Sequence, residues 1–152
     1  MIRRSLPLAL AIATLVASPA ASRASIGSSS PAIDPGSLLL DAGWLAEHLD
    51  DPNLVLLHVG AKQEYEREHI PGARYVSQSD LALTREEGAL YLELPKPDVL
   101  RATLEGLGIS DDSRIVVYYG NDWVSPATRI VFTLDWAGLG DRTSLLDGGM
   151  KA

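Results

Sequence analysis

Arg114-Ile115-Val116-Val117-Tyr118-Tyr119-Gly120 is the clearest strand of the chain, β-branched and aromatic residues that open on a charge and close on a glycine. Downstream, Ser125 and Pro126 read as an N-cap and first-position pair, and Ala127, Ile130, Val131, Leu134 and Ala137 mark one apolar helical face up to Gly138. Ser144 to Leu146 is then a last, short strand. Upstream, Pro97 occupies a first helical position, and Val99, Leu100, Leu104 and Leu107 repeat at helical spacing until Gly108 ends the element. Further back, Leu38 to Leu40 is a short strand, and Asp41 caps a helix carrying Trp44, Leu45 and Leu49 on one side. Leu54 to Val59 is a buried strand, Tyr65 lies in a charged helical turn, and Pro71 with Gly72 suits a tight turn into a third strand at Arg74, Tyr75 and Val76. This alternation of strand and helix predicts βαβ units: an α/β, three-layer fold with a mostly parallel central sheet flanked by helices.

Composition narrows the chemistry. A chain of 152 residues, 46% hydrophobic and 22% charged, is expected to form one domain around one core. Its formal charge is −7 and no stripe of Lys and Arg interrupts that balance, so nucleic acid is not expected as a partner. There is no cysteine, which removes disulfides and thiolate metal sites, and His48, His58 and His69 are the only histidines. Neither a metal nor a cofactor is expected.

The first segment reads as an address. Arg3 and Arg4 form a positive n-region, Leu6 to Ala17 is an apolar stretch too short to span a bilayer comfortably, and Ser18, Ala20, Ser22 and Ala24 supply small residues after it. Residues 1–24 are therefore expected to be a secretory signal, cleaved after Ala24 or after Ala20, with an uncleaved anchor as the alternative. Cleavage after Ala24 removes Arg3, Arg4 and Arg23 and no acid, taking the charge from −7 by three to −10. Residues 25–37, rich in Ser, Gly and Pro, read as a flexible linker ahead of a domain spanning 38–152. The expected destination is the periplasm or the exterior, with no stable membrane span after cleavage.

Two short motifs sit at telling positions. Glu68-His69-Ile70-Pro71-Gly72-Ala73 follows one short helix after a buried strand, and Asp147-Gly148-Gly149 follows the final strand directly. Together with the order and spacing of the elements between them, these residues resemble the two signatures of the rhodanese-like family, over Leu38 to Ala152. That resemblance implies sulfurtransferase chemistry, in which a cysteine thiolate carries sulfur as a persulfide.

The nucleophile is missing. In catalytic members of the family a cysteine ends the strand equivalent to Arg114–Tyr119, and a compact loop aims backbone amides and a helix N-terminus at the anionic sulfur. Tyr119 stands at about that position, and a phenol, with a reference pKa near 10, cannot carry sulfane sulfur. The loop Gly120-Asn121-Asp122-Trp123-Val124 is also longer than the family's catalytic loop, and Arg129 is the nearest basic residue downstream. At the end of the second strand, where the family often has an acid and an arginine, this chain has His58-Val59-Gly60. His58 reads as a hydrogen-bonded, partly buried residue, with a base as the alternative.

Thiosulfate and 3-mercaptopyruvate sulfurtransferases look like two such domains in tandem, a cysteine-free first and a catalytic second. The chain resembles the first, and its stop shortly after Asp147-Gly148-Gly149 suggests a truncated domain. On that resemblance the chain is the non-catalytic N-terminal half of an exported sulfurtransferase. Its partner would be a second rhodanese domain, and its small molecule a sulfur donor such as thiosulfate or 3-mercaptopyruvate. Gly120, Asn121, Asp122, Trp123 and Arg129 would line the shared site, although Trp123 reads equally well as an aromatic packed on its own domain. The alternative is a stand-alone inactive module binding a small anion or a protein. Phosphatase activity, found among relatives of this fold, also needs the absent cysteine.

Overall fold

The structure, a computed structural model, describes residues 37–83, 90–121 and 123–152. The proposed signal and most of the linker lie outside the described residues, as does Asp122. Nine regular elements follow in order: β1 (Leu39–Leu40), α1 (Ala42–His48), β2 (Leu54–Val59), α2 (Lys62–Arg67), β3 (Arg74–Val76), α3 (Pro97–Gly106), β4 (Arg114–Tyr119), α4 (Val124–Leu134) and β5 (Thr143–Leu146). Short 3-10 turns and one π turn complete the described path.

The five strands form one sheet in the order β1-β5-β4-β2-β3, and every pairing among them is parallel. Leu54 to Val59 pairs residue by residue with Arg114 to Tyr119, which places His58 beside Tyr118 and Val59 beside Tyr119. Parallel strands covered on both faces must be apolar throughout, and this explains why β2 and β4 are near-continuous hydrophobic runs. Successive side chains alternate between two cores. Val55, Leu57, Val59, Ile115, Val117 and Leu145 meet Leu100 and Leu104 of α3 and Ala127, Ile130 and Leu134 of α4 on one face. Leu56, Val116, Tyr118 and Leu146 meet Trp44 and Leu45 of α1, Tyr65 of α2, and Ile70 on the other. Each fully buried aliphatic side chain in these layers stabilises the fold by about 1.5–3 kcal/mol.

Most predicted element ends agree with those observed, and the exceptions have physical reasons. Asp41 caps α1 as expected, its Oδ1 accepting from the Trp44 amide at 2.9 Å, but α1 ends at His48, so Leu49 at the C-cap is exposed. In α3, Leu100 and Leu104 point inward while Val99 is exposed. Gly108, at φ +66°, takes the left-handed turn that stops this helix. Ser125 and Pro126 are not the cap pair of α4: Trp123 holds the N-cap, in extended conformation with no side-chain cap, and the helix begins at Val124. A proline at the third position loses nothing, because the first four amides of a helix have no intrahelical acceptor. Ala137 lies beyond α4 in a π turn and is exposed. Thr133 is buried instead, its hydroxyl donating to the Arg129 carbonyl at 3.0 Å.

Candidate functional site

The chain leaves β4 toward β5 on one side of the sheet and leaves β2 toward β3 on the other. The C-terminal ends of β2 and β4 therefore flank a topological switch point, where parallel α/β sheets open a crevice for ligands. The loop after β4 and the start of α2 face each other across it. The Gly120 amide donates to the Val59 carbonyl at 3.1 Å, extending the β2–β4 ladder by one bond, and the Asn121 amide donates to Oε2 of Glu64 at 3.3 Å. A Cβ on Gly120 would lie 2.6 Å from that same Oε2 and 3.5 Å from Nε2 of His58. A side chain at position 120 would therefore displace that carboxylate, and the sequence contains no signal for the contact: Glu64 is one of several charges in the run Lys62 to Glu68.

Below the crevice lies an aromatic cluster. His58 is 1% exposed, so it is fully and not partly buried, with its ring edge-on to Tyr118 at 5.0 Å and near Tyr65 and Tyr75 at 5.5 and 6.4 Å. Each tyrosine hydroxyl is tied to backbone. Tyr65 donates to the Ala73 carbonyl at 2.9 Å, Tyr75 donates to the Gly60 carbonyl at 3.2 Å, and Tyr118 accepts from the Ile70 amide at 3.0 Å. Burial pushes the Tyr118 hydroxyl above its usual pKa, the Ile70 bond opposes this by favouring the phenolate, and nearby Tyr65 adds to the rise. Tyr75 is raised as well, first by burial and then by the negative charge of Asp80.

The signature residues hold this architecture together. His69 stacks on Tyr65 at 4.2 Å and its Nδ1 is 2.7 Å from the Tyr65 carbonyl oxygen. Pro71 and Gly72 occupy the centre of a turn closed by the Ala73 amide on the Ile70 carbonyl at 3.0 Å, with Gly72 at φ +80°. The Asp147 amide donates to the Leu40 carbonyl at 2.8 Å, fastening the end of β5 to β1. Gly148 and Gly149 follow in left-handed conformations, and Gly149 lies directly against Tyr119.

The remaining candidates separate. Tyr119 is half-buried, packed against Gly149 and the core under α3 and α4. Asn121 is exposed apart from its bond to Glu64, and Trp123 is 69% exposed, so it is not an aromatic folded back into its own domain. Arg129 does not serve the loop: its guanidinium donates to the Leu92 carbonyl and lies 5.2 Å from the Phe132 ring centre. Among the described residues no three His, Cys, Asp or Glu side chains converge as metal ligands.

Fold and site define a doubly wound parallel α/β domain whose switch-point crevice lies under a glycine-started loop and contains no nucleophilic thiol. The rhodanese-like domain family matches residues 41–152, and the chain belongs to that family. It is similar to the 3-mercaptopyruvate sulfurtransferase of Escherichia coli (strain K12), 32% identical over 120 residues covering 72% of this chain and 41% of that protein. It is similar also to the thiosulfate sulfurtransferase of Bos taurus, 30% identical over 124 residues covering 78% of this chain and 36% of that one. The chain thus spans about two fifths of the length of these curated relatives. Among solved structures, the 3-mercaptopyruvate sulfurtransferase SseA from Escherichia coli superposes with a TM-score of 0.65 at 28% identity, over 75% of this chain and 46% of that one.

Proposed function

We propose that this domain is the non-catalytic, N-terminal half of an exported sulfurtransferase of the thiosulfate or 3-mercaptopyruvate type, in which a second rhodanese domain supplies the persulfide cysteine. The observation that carries the reading is Tyr119, a half-buried phenol at the end of β4 in a chain with no cysteine. The similarity to two kinds of sulfurtransferase, each extending well past the matched length, supports it. In this arrangement Gly120, Asn121 and Trp123 face the partner domain, and the sulfur donor reacts there and not on this chain.

Assay of the chain alone tests the chemistry. Thiosulfate and cyanide should give thiocyanate only at the buffer rate, since no side chain here can form a persulfide. Tyr119→Cys should recover little activity, because a thiol there would lie against Gly149 without a compact cradle of amides to stabilise its anion. Robust turnover by the unmodified chain would exclude the reading. Reading the gene beyond the codon for Ala152 tests the architecture: a second domain with a cysteine at the end of its fourth strand is expected.

Export is part of the same proposal, supported by the order of positive, apolar and small residues in the first 24 positions. Intact mass of protein from the native compartment should show their removal. Among the described residues no helix is long and apolar enough to cross a membrane.

A further inference from the structure

At the switch point a side chain of one bordering segment reaches the backbone of the other. We propose that Glu64 is the resident anion of this site, its carboxylate occupying the position between β2 and β4 where the loop presents its amide, closing that position to small anions and pinning the loop so that Trp123 projects outward. Three observations converge on it. The Asn121 amide donates to Oε2 of Glu64 across 57 positions of sequence, a long-range contact between the two segments that border the crevice. The carboxylate occupies space left open at Gly120, where a Cβ would stand 2.6 Å from Oε2 and displace it. Finally, Glu64 stands outside both lysine and arginine ion pairs seen among the described residues, Lys62–Glu66 and Arg101–Glu105, while Nε2 of His58 lies on the same side of Gly120 as its carboxylate.

A carboxylate in this place has two consequences. A second anion brought beside it meets like charge in a chain already at −7, so thiosulfate is disfavoured here even though a backbone amide faces the crevice. The loop also gains an anchor two residues before Trp123, which at the N-cap of α4 has no side-chain cap bond to hold it. Glu64 is therefore a positioning residue. The inference deepens the proposed function and rests on it only for what Trp123 meets; the carboxylate–amide contact belongs to this chain alone.

Amide-resolved NMR of the full chain tests it, with thiosulfate as the added anion. In the parent protein thiosulfate should cause no saturable shift of the Gly120 or Asn121 amides. In Glu64→Ala the Asn121 amide should exchange with solvent roughly five- to tenfold faster, the expected scale for losing one charge-assisted bond at a solvent-facing site, while amides within β2 and β4 keep their rates. Glu64→Gln retains an oxygen acceptor without the charge, should exchange at an intermediate rate, and carries the comparison if the alanine variant fails to fold. A saturable thiosulfate shift in the parent loop, or parent-like Asn121 exchange in the variants, overturns the proposal. These readings need no second domain, so they can fail while the tandem architecture stands, and a stop codon after Ala152 would leave them unchanged.

Discussion

Tyr118 accepts a hydrogen bond at 3.0 Å from the amide of Ile70, 48 positions earlier, and so ties the turn before β3 to the central strand. The tyrosine is fully buried, and its ring also closes over His58. Tyr118→Phe keeps the ring and removes the acceptor, leaving a partly buried amide without its partner. Urea denaturation should show a loss of about 1 kcal/mol, the lower end of the range for such groups. An unchanged midpoint would show that water replaces the bond at no cost.

The same hydroxyl makes stability depend on alkaline pH. Because burial raises the Tyr118 pKa in the folded state, the unfolded chain loses this proton first as pH increases. The contribution is fully present below the unfolded value of about 10 and is lost as pH rises through the higher folded value. Tyr75, raised by burial and by Asp80, acts in the same direction. Stability measured from pH 8 upward should fall beyond about pH 10, and Tyr118→Phe should fall less steeply than the parent.

Two glycines with similar backbone angles should respond differently to alanine. At Gly149, φ +58°, a Cβ would lie 2.8 Å from the Tyr119 carbonyl oxygen and 2.9 Å from its ring; at Gly72, φ +80°, it would meet nothing within 4 Å. Gly72→Ala should cost about 1–2 kcal/mol, the left-handed penalty alone. Gly149→Ala adds a clash with backbone and should cost upwards of about 3 kcal/mol. Equal losses in chemical denaturation would mean that Tyr119 moves aside freely.

Trp123→Ala should leave the stability of this domain within about 1 kcal/mol, as expected for a surface change at a residue that is 69% exposed. In a longer protein carrying a catalytic domain, the same change should weaken substrate binding or domain docking. Loss of several kcal/mol in this domain with unaltered kinetics in the longer protein would reverse the assignment.

Sequence alone determined the class of fold and most element positions, because apolar periodicity is local: strands at Leu54–Val59 and Arg114–Tyr119 and the helix from Pro97 are legible in the order of their residues. The two signature motifs were legible for the same reason, and so was the missing thiol. What periodicity does not encode is which segments meet. The order β1-β5-β4-β2-β3 brings the ends of β2 and β4 together, and only that adjacency turns Glu64, one charge in a charged run, into the partner of Asn121. It likewise buries His58 completely between Tyr65, Tyr75 and Tyr118, where sequence suggested a partly exposed ring. Arg129, near the loop in sequence, is carried one and a half turns along α4 and is held by the Leu92 carbonyl instead. Local patterning chooses the elements because each residue's backbone preference and burial face are set by its neighbours, whereas the site is a set of long-range contacts that exist only once the parallel sheet has brought distant loops to one edge.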